Sequence, residues 1–148
     1  MKIIAKNKRA SFDFFLMERV EGGLVLQGTE VKVLREGKVN LSEAFVDIDG
    51  QGEAWIYHMQ IPQYTFGNRA NHEESRRRKI LLHKSEIQKL LREMKTQKLT
   101  IIPTILYFKD SRVKIELALA KGKKLHDKRD SLMKKDAQKQ IQRSLKEQ

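Results

Sequence analysis

Val113-Lys114-Ile115-Glu116-Leu117-Ala118-Leu119 alternates apolar and charged side chains, and Ala120-Lys121-Gly122-Lys123-Lys124-Leu125-His126-Asp127-Lys128-Arg129 follows it directly. Successive side chains on a strand point to opposite faces of a sheet, so the first stretch predicts a strand with one buried face. The second stretch is basic and almost free of apolar residues, and the chain stays charged from there to Gln148. The junction divides the molecule into a folded body, 1–120, and a basic tail, 121–148, expected to be disordered when free. An arm of this composition suits a polyanionic partner.

Working outward, Thr100 to Phe108 supplies the partner strand of a hairpin that turns at Lys109-Asp110-Ser111-Arg112. Pro103 has no N–H to donate, which places it at an edge or a bulge. Ser85 and Gln88 have capping-box spacing, and Ile87, Leu90, Leu91 and Met94 follow one helical face, predicting a helix. Ala44 to Met59 predicts a hairpin around Asp49-Gly50-Gln51-Gly52. Thr29 as cap, an early Glu30, a late Arg35 and a closing Gly37 predict a short helix. Phe12, Phe14, Leu16 and Val20 predict a strand ended by a turn at Gly22-Gly23, with Leu24-Val25-Leu26 starting another. Residues 60–79 read as a long polar loop containing Arg76-Arg77-Arg78-Lys79. Several short strands with one or two helices favour a mainly β fold, a closed or partly closed antiparallel barrel. A split α+β sandwich is the alternative.

In the tail, Met133, Ala137, Ile141 and Leu145 recur at steps of four and make a thin apolar stripe. That stripe buries too little to offset an ordering cost of about 1–2 kcal/mol per residue. The tail is therefore expected to become helical only on an anionic surface.

Composition narrows the function. Lys and Arg total 31 against 19 acidic residues, a net charge of +12. Nucleic acid is the favoured partner, because each cation near a phosphate releases counterions. The absence of cysteine excludes disulfides, thiolate zinc sites and thiol catalysis. Met1-Lys2-Ile3-Ile4-Ala5-Lys6-Asn7-Lys8-Arg9 is charged where a secretory segment would be apolar, and Ile101 to Phe108 is too short to span a bilayer. A soluble, cytoplasmic protein without a membrane partner is expected. His58, His72, His83 and His126 show no metal-ligand spacing, and Gly122-Lys123-Lys124 lacks the upstream glycine of a phosphate loop. No catalytic residue, metal or cofactor is expected. The basic clusters at Lys6 to Arg9, Arg76 to Lys79, Lys121 to Lys124 and Lys128-Arg129 suggest a shared phosphate-binding surface. Phe12, Tyr57, Tyr64 and Phe66 offer rings for unpaired bases. These residues alone leave open a general RNA-binding or ribosomal protein, and an RNA-processing enzyme with dispersed catalytic groups.

A set of motifs then goes further. Gly28-Thr29-Glu30-Val31-Lys32-Val33-Leu34-Arg35, Asn40-Leu41, Gly52-Glu53-Ala54-Trp55, Asn71-His72-Glu73, Arg78-Lys79-Ile80-Leu81-Leu82-His83-Lys84 and Ala120 through Arg129 occur in this order. The set resembles SmpB, the tmRNA-binding protein family of bacterial trans-translation, from Asn7 to Arg129. The resemblance implies an oligonucleotide-binding (OB) type β-barrel with flanking helices and no enzymatic activity. It implies binding to the tRNA-like domain of tmRNA and delivery with elongation factor Tu to stalled ribosomes. The tail would probe the empty messenger channel near the decoding centre of the small ribosomal subunit, and the protein is expected to be a monomer.

Carried onto this chain, the resemblance assigns Glu30, Lys32, Arg35 and Asn40 to the tmRNA-facing side. His72, Arg76, Arg78 and Lys79 fall in a basic RNA-binding loop. Lys121, Gly122, Lys123, Lys124, Asp127, Lys128 and Arg129 fall in the ribosome-contacting tail. Glu30 is an acid among cations, expected to orient Arg35, to accept from a ribose or base edge, or to serve the helix alone. Two departures stand out. Phe12-Asp13-Phe14 lies where many members have His, an acid and Tyr, and Glu74-Ser75 lies where an acid and Pro are usual.

Overall fold

The segments with period-two patterning form strands whose pairings close on themselves. The computed structural model describes residues 1–67 and 71–147, with side chains through residue 139. Its strands are β1 (Lys2–Lys6), β2 (Phe14–Leu24), β3 (Phe45–Ile48), β4 (Ala54–Tyr57), β5 (Arg78–Leu81), β6 (Thr100–Lys109) and β7 (Arg112–Gly122). They form a 7-stranded sheet in the order β1-β6-β3-β4-β5-β2-β7, and β7 pairs again with β6. The ring from β6 through β3, β4, β5, β2 and β7 thus returns to its start. β1 continues the edge of β6 beyond β3, opposite Ile105 to Phe108. This is the closed antiparallel arrangement expected, and closure leaves β1, paired with β6 alone, as the strand with a free edge.

Inward positions are apolar and dry. Val46, Ile56, Ile80, Ile101, Leu106, Ile115, Leu117 and Leu119 are each no more than 2% exposed. Helix α2 (Gly28–Arg35) inserts Val33 and Leu34 into this core, and α3 (Lys84–Thr96) contributes Leu90. Truncating a fully buried leucine such as Leu34 to alanine costs about 2–5 kcal/mol in such a setting. The β6–β7 hairpin turns where predicted, with Asp110 at φ +56°. Its register shifts between Pro103 and Ile105, so the proline sits at a bulge where its missing N–H breaks no ladder bond. The β3–β4 hairpin also forms as predicted, with Gly52 supplying φ +79°.

Several expectations are corrected. Gly22-Gly23 is no turn, because β2 runs straight through it. A Cβ at Gly22 would lie 2.7 Å from Ile80 Cγ2, so the glycine permits close approach of neighbouring strands. Gly23 pairs with both Lys114 and Leu81, making β2 the seam between β7 and β5. Phe12 lies in a short helix, α1 (Ala10–Asp13), and not on a strand. Residues 60–79 are not loop throughout, since Arg78 opens β5. The helix caps also shift by two residues. Gln27 caps α2, its N–H donating to Glu30 Oε1 at 2.7 Å, and His83 caps α3, donating to Glu86 Oε1 at 3.0 Å.

Beyond β7 the tail forms α4 (Leu125–Glu147). Leu125, Leu132 and Met133 are 66%, 47% and 69% exposed, so the body gives this helix little apolar contact. Ile141 and Leu145 of the apolar stripe lie outside the described side chains. Among the described residues no helix is long and apolar enough to cross a membrane.

Candidate RNA interface

The interface is built around an acid. Glu30 is fully buried on α2, and its carboxylate is shared by three donors. Arg76 Nη2 and the Gln27 N–H donate to Oε1, and Arg78 Nε donates to Oε2 at 2.6 Å. Burial alone would raise the Glu30 carboxyl; Arg76, Gln27 and Arg78 outweigh it and hold the group below the usual carboxylate range. Arg78 is itself fully buried and spends its other donors on the backbone. They reach the carbonyls of Met59, Glu73 at 3.3 Å and Glu74 at 3.0 Å.

His72, 1% exposed, completes the network. Its Nε2 lies 2.9 Å from the carbonyls of both Ile61 and Pro62, so that nitrogen carries a proton and donates it. Its Nδ1 meets the Thr29 hydroxyl at 2.8 Å. Asn71 ties the same loop, accepting from Tyr64 N–H at 3.1 Å and donating to Tyr64 O at 2.8 Å.

Three residues expected to touch RNA are therefore interior. Glu30, His72 and Arg78 tie Pro62, Glu73, Glu74 and Arg76 to α2, and a fully buried side chain cannot meet a phosphate. Glu30 orients Arg76 and Arg78, not Arg35. What this frame presents outward is basic and aromatic. Lys32 and Arg35 are exposed on α2, and Lys32 Nζ lies 5.3 Å from the Tyr64 ring centroid. Tyr64 meets Phe66 edge-on at 5.6 Å, and Phe66 is 78% exposed. Asn40 is exposed, but its Oδ1 is occupied locally, accepting from Ser42 N–H at 2.9 Å and Ser42 Oγ at 2.7 Å.

Strand alternation splits the run Arg76-Arg77-Arg78-Lys79. Arg76 and Arg78 turn in toward Glu30, while Arg77 and Lys79 turn out. Lys79 pairs with Glu53 at 3.1 Å, and the Arg77 guanidinium lies 4.1 Å from the Trp55 ring centroid. Arg77 is the outward cation of the cluster that the resemblance does not assign. The period-two rule would have found it had β5 been recognised.

The tail base makes a second basic surface. The Lys123 N–H donates to Asp13 O at 2.9 Å, and Lys123 Nζ donates to Ser11 O at 2.9 Å and Ser131 Oγ at 2.7 Å. Lys123 Nζ also lies 5.0 Å from the Phe15 ring centroid. Asp13 accepts ion pairs from Lys128 at 3.4 Å and Arg9 at 3.6 Å. Lys121, Gly122, Lys124 and Arg129 are exposed. Asp127 caps the helix, accepting from the Lys124 N–H at 3.4 Å, and pairs with His126 at 3.2 Å. Asp13, together with the Ser11 carbonyl, joins tail to body.

Comparison with known proteins identifies the family. A family model described as "SmpB protein" matches residues 4–147. The SsrA-binding protein of Halothermothrix orenii is 49% identical over 99% of this chain and 94% of its own length. That of Saccharopolyspora erythraea is 51% identical over 97% and 90%. A solved chain from "tmRNA-SmpB: a journey to the center of the bacterial ribosome" superposes with a TM-score of 0.70 at 37% identity. The superposition covers 86% of this chain and 93% of that one. With the match running through body and tail alike, this chain belongs to the SmpB family.

Proposed function

We propose that this chain is a non-enzymatic adaptor that binds the tRNA-like domain of tmRNA and delivers it to stalled ribosomes for trans-translation. The body is the tmRNA-binding part, through Lys32, Arg35 and the aromatic loop held by Glu30, His72 and Arg78. The tail, with Lys121, Lys123, Lys124, Lys128 and Arg129, enters the vacant messenger channel of the small subunit. Elongation factor Tu accompanies the complex, the protein acts as a monomer in the cytoplasm, and the free tail is largely unfolded. The observation that carries this reading is the contrast between a preset body and a tail helix with almost no apolar support. Phosphate contacts position such a body, and the shape of a folded RNA, not its base sequence, selects the partner.

RNA sequencing provides the test. The protein is recovered from its own cell and the RNA that travels with it is sequenced. A single dominant tmRNA is expected. A broad RNA mixture would instead support a general RNA-binding protein.

A further inference from the structure

Outward positions of an antiparallel barrel strand are ordinarily polar, because they face water. On β3 and β4 three of the four, Phe45, Trp55 and Tyr57, are aromatic, and Asp47 is the fourth. Phe45 and Tyr57 are register partners, and their rings stack with centroids 5.3 Å apart at an interplanar angle of 18°. The His58 ring extends the row, 5.4 Å from Phe45. His58 sits at φ +61°, a left-handed conformation that L residues seldom adopt and that clusters at ligand sites. Trp55 shares the outer face two residues earlier on β4. These rings are not core, since Val46, Ala54 and Ile56 between them fill the interior and Phe45 remains 38% exposed.

Cations stand at both ends of the row. Arg77 covers Trp55, and Lys79 is the register partner of Trp55 on β5. At the other end Phe45 walls a cleft of about 470 Å³ shared with Arg9, Lys123 and Lys128. Asp13 and Glu43 also line that cleft, and both are ion-paired with Arg9. Asp47 stands opposite Trp55 on the outer face and Glu53 pairs with Lys79 at 3.1 Å, so an anionic backbone would pass on the Arg77 side and exchange with Glu53 at Lys79.

We propose that the outer face of β3 and β4 is a stacking platform for unpaired RNA nucleotides, with bases on Phe45, Tyr57 and His58 and phosphates on Arg77 and Lys79. An unpaired base offers a flat π face to such a shelf, whereas a duplex keeps its bases inside and offers only its backbone. The inference rests on the adaptor reading but concerns a different face from the one around α2. The nucleotides belong either to tmRNA or to ribosomal RNA, and the chemistry of recognition is the same.

Trp55 is the sole tryptophan, so intrinsic fluorescence reads the platform directly. The full chain is titrated with a single-stranded RNA octamer and with the same octamer annealed to its complement. The single strand should quench Trp55 and bind at least about tenfold tighter than the duplex. Phe45→Ala should weaken single-strand binding by about tenfold with an unchanged salt slope, whereas Arg77→Ala should flatten that slope by about 0.7. Phe45→Leu keeps the apolar bulk and should show a similar loss, which separates stacking from misfolding. A silent Trp55, equal affinity for duplex, or wild-type binding by Phe45→Leu overturns the platform. Binding of the tRNA-like domain is measured on the same samples: its presence beside a silent Trp55 overturns the platform alone, and its absence overturns the adaptor reading. Octamer competition by the isolated tRNA-like domain, but not by small subunits, assigns the nucleotides to tmRNA; the reverse assigns them to ribosomal RNA.

Discussion

The loop that ends in Arg78 and the base of the tail are both basic and both gripped by a carboxylate, yet the grips differ in kind. Glu30 is fully buried with Arg78 beside it, while the Asp13 side chain is 23% exposed and its partners Arg9 and Lys128 are 60% and 34% exposed. A buried pair adds little net stability over an apolar replacement, but removing one partner strands a charge in the interior. An exposed pair is screened by water and salt and contributes about 0–1 kcal/mol. The frame around Glu30 is thus fixed before any RNA arrives, and the tail base can let go. The proposed shape recognition needs the first property, and the proposed entry of the tail into a channel needs the second.

The sharpest way to break this comparison is Glu30→Ala, which leaves Arg78 buried without its carboxylate. We expect a loss of about 3–5 kcal/mol in urea unfolding; a loss under about 1 kcal/mol would make the two grips equivalent. The same carboxylate predicts an acid limb. Its folded pKa lies below the ordinary 4.5, so its stabilisation is fully present above the unfolded value and is lost as pH falls through the folded one. Glu30→Gln should flatten the stability profile below about pH 4.5, and an unaltered acid limb would assign that limb to other groups.

Thr29→Val is smaller, removing one hydroxyl partner of His72 at a cost of about 1 kcal/mol. Amide exchange from Ile61 to His72 should rise with it, and unchanged protection there would detach His72 from the loop's rigidity. Smallest in global stability is Asp13→Asn, expected within about 1 kcal/mol of the parent. Its effect should appear as faster amide exchange in residues 125–131, while exchange in the body stays constant. Loosening that spread into β2 would mean that tail and body are not separable.

The hairpins were legible because their signals are local. A period of two, a Gly or Asp at the turn and a donorless Pro103 each determine their own neighbourhood. The helix at Gly28–Arg35 was legible from its early acid and late base, but its cap was misplaced. The Thr29 hydroxyl has the right chemistry for a cap and goes instead to His72, a partner 43 residues away. Likewise Arg76 to Lys79 reads as one basic run until β5 sorts its members to opposite faces. A strand as short as Arg78–Leu81, opening on two cations, carries no alternation strong enough to announce itself. The motifs bring together residues that the fold also brings together, but contact and support could not be told apart until burial placed Glu30, His72 and Arg78 inside.

The proposed division between a body that binds tmRNA and a tail that reads the ribosome is tested most directly by ending the chain after Lys124, just before α4. Affinity for the tRNA-like domain should stay within about twofold of the full chain, since distant groups without shared partners act independently. Tagging on stalled ribosomes should be lost. Equal loss of RNA binding, or tagging that survives the truncation, would contradict the account.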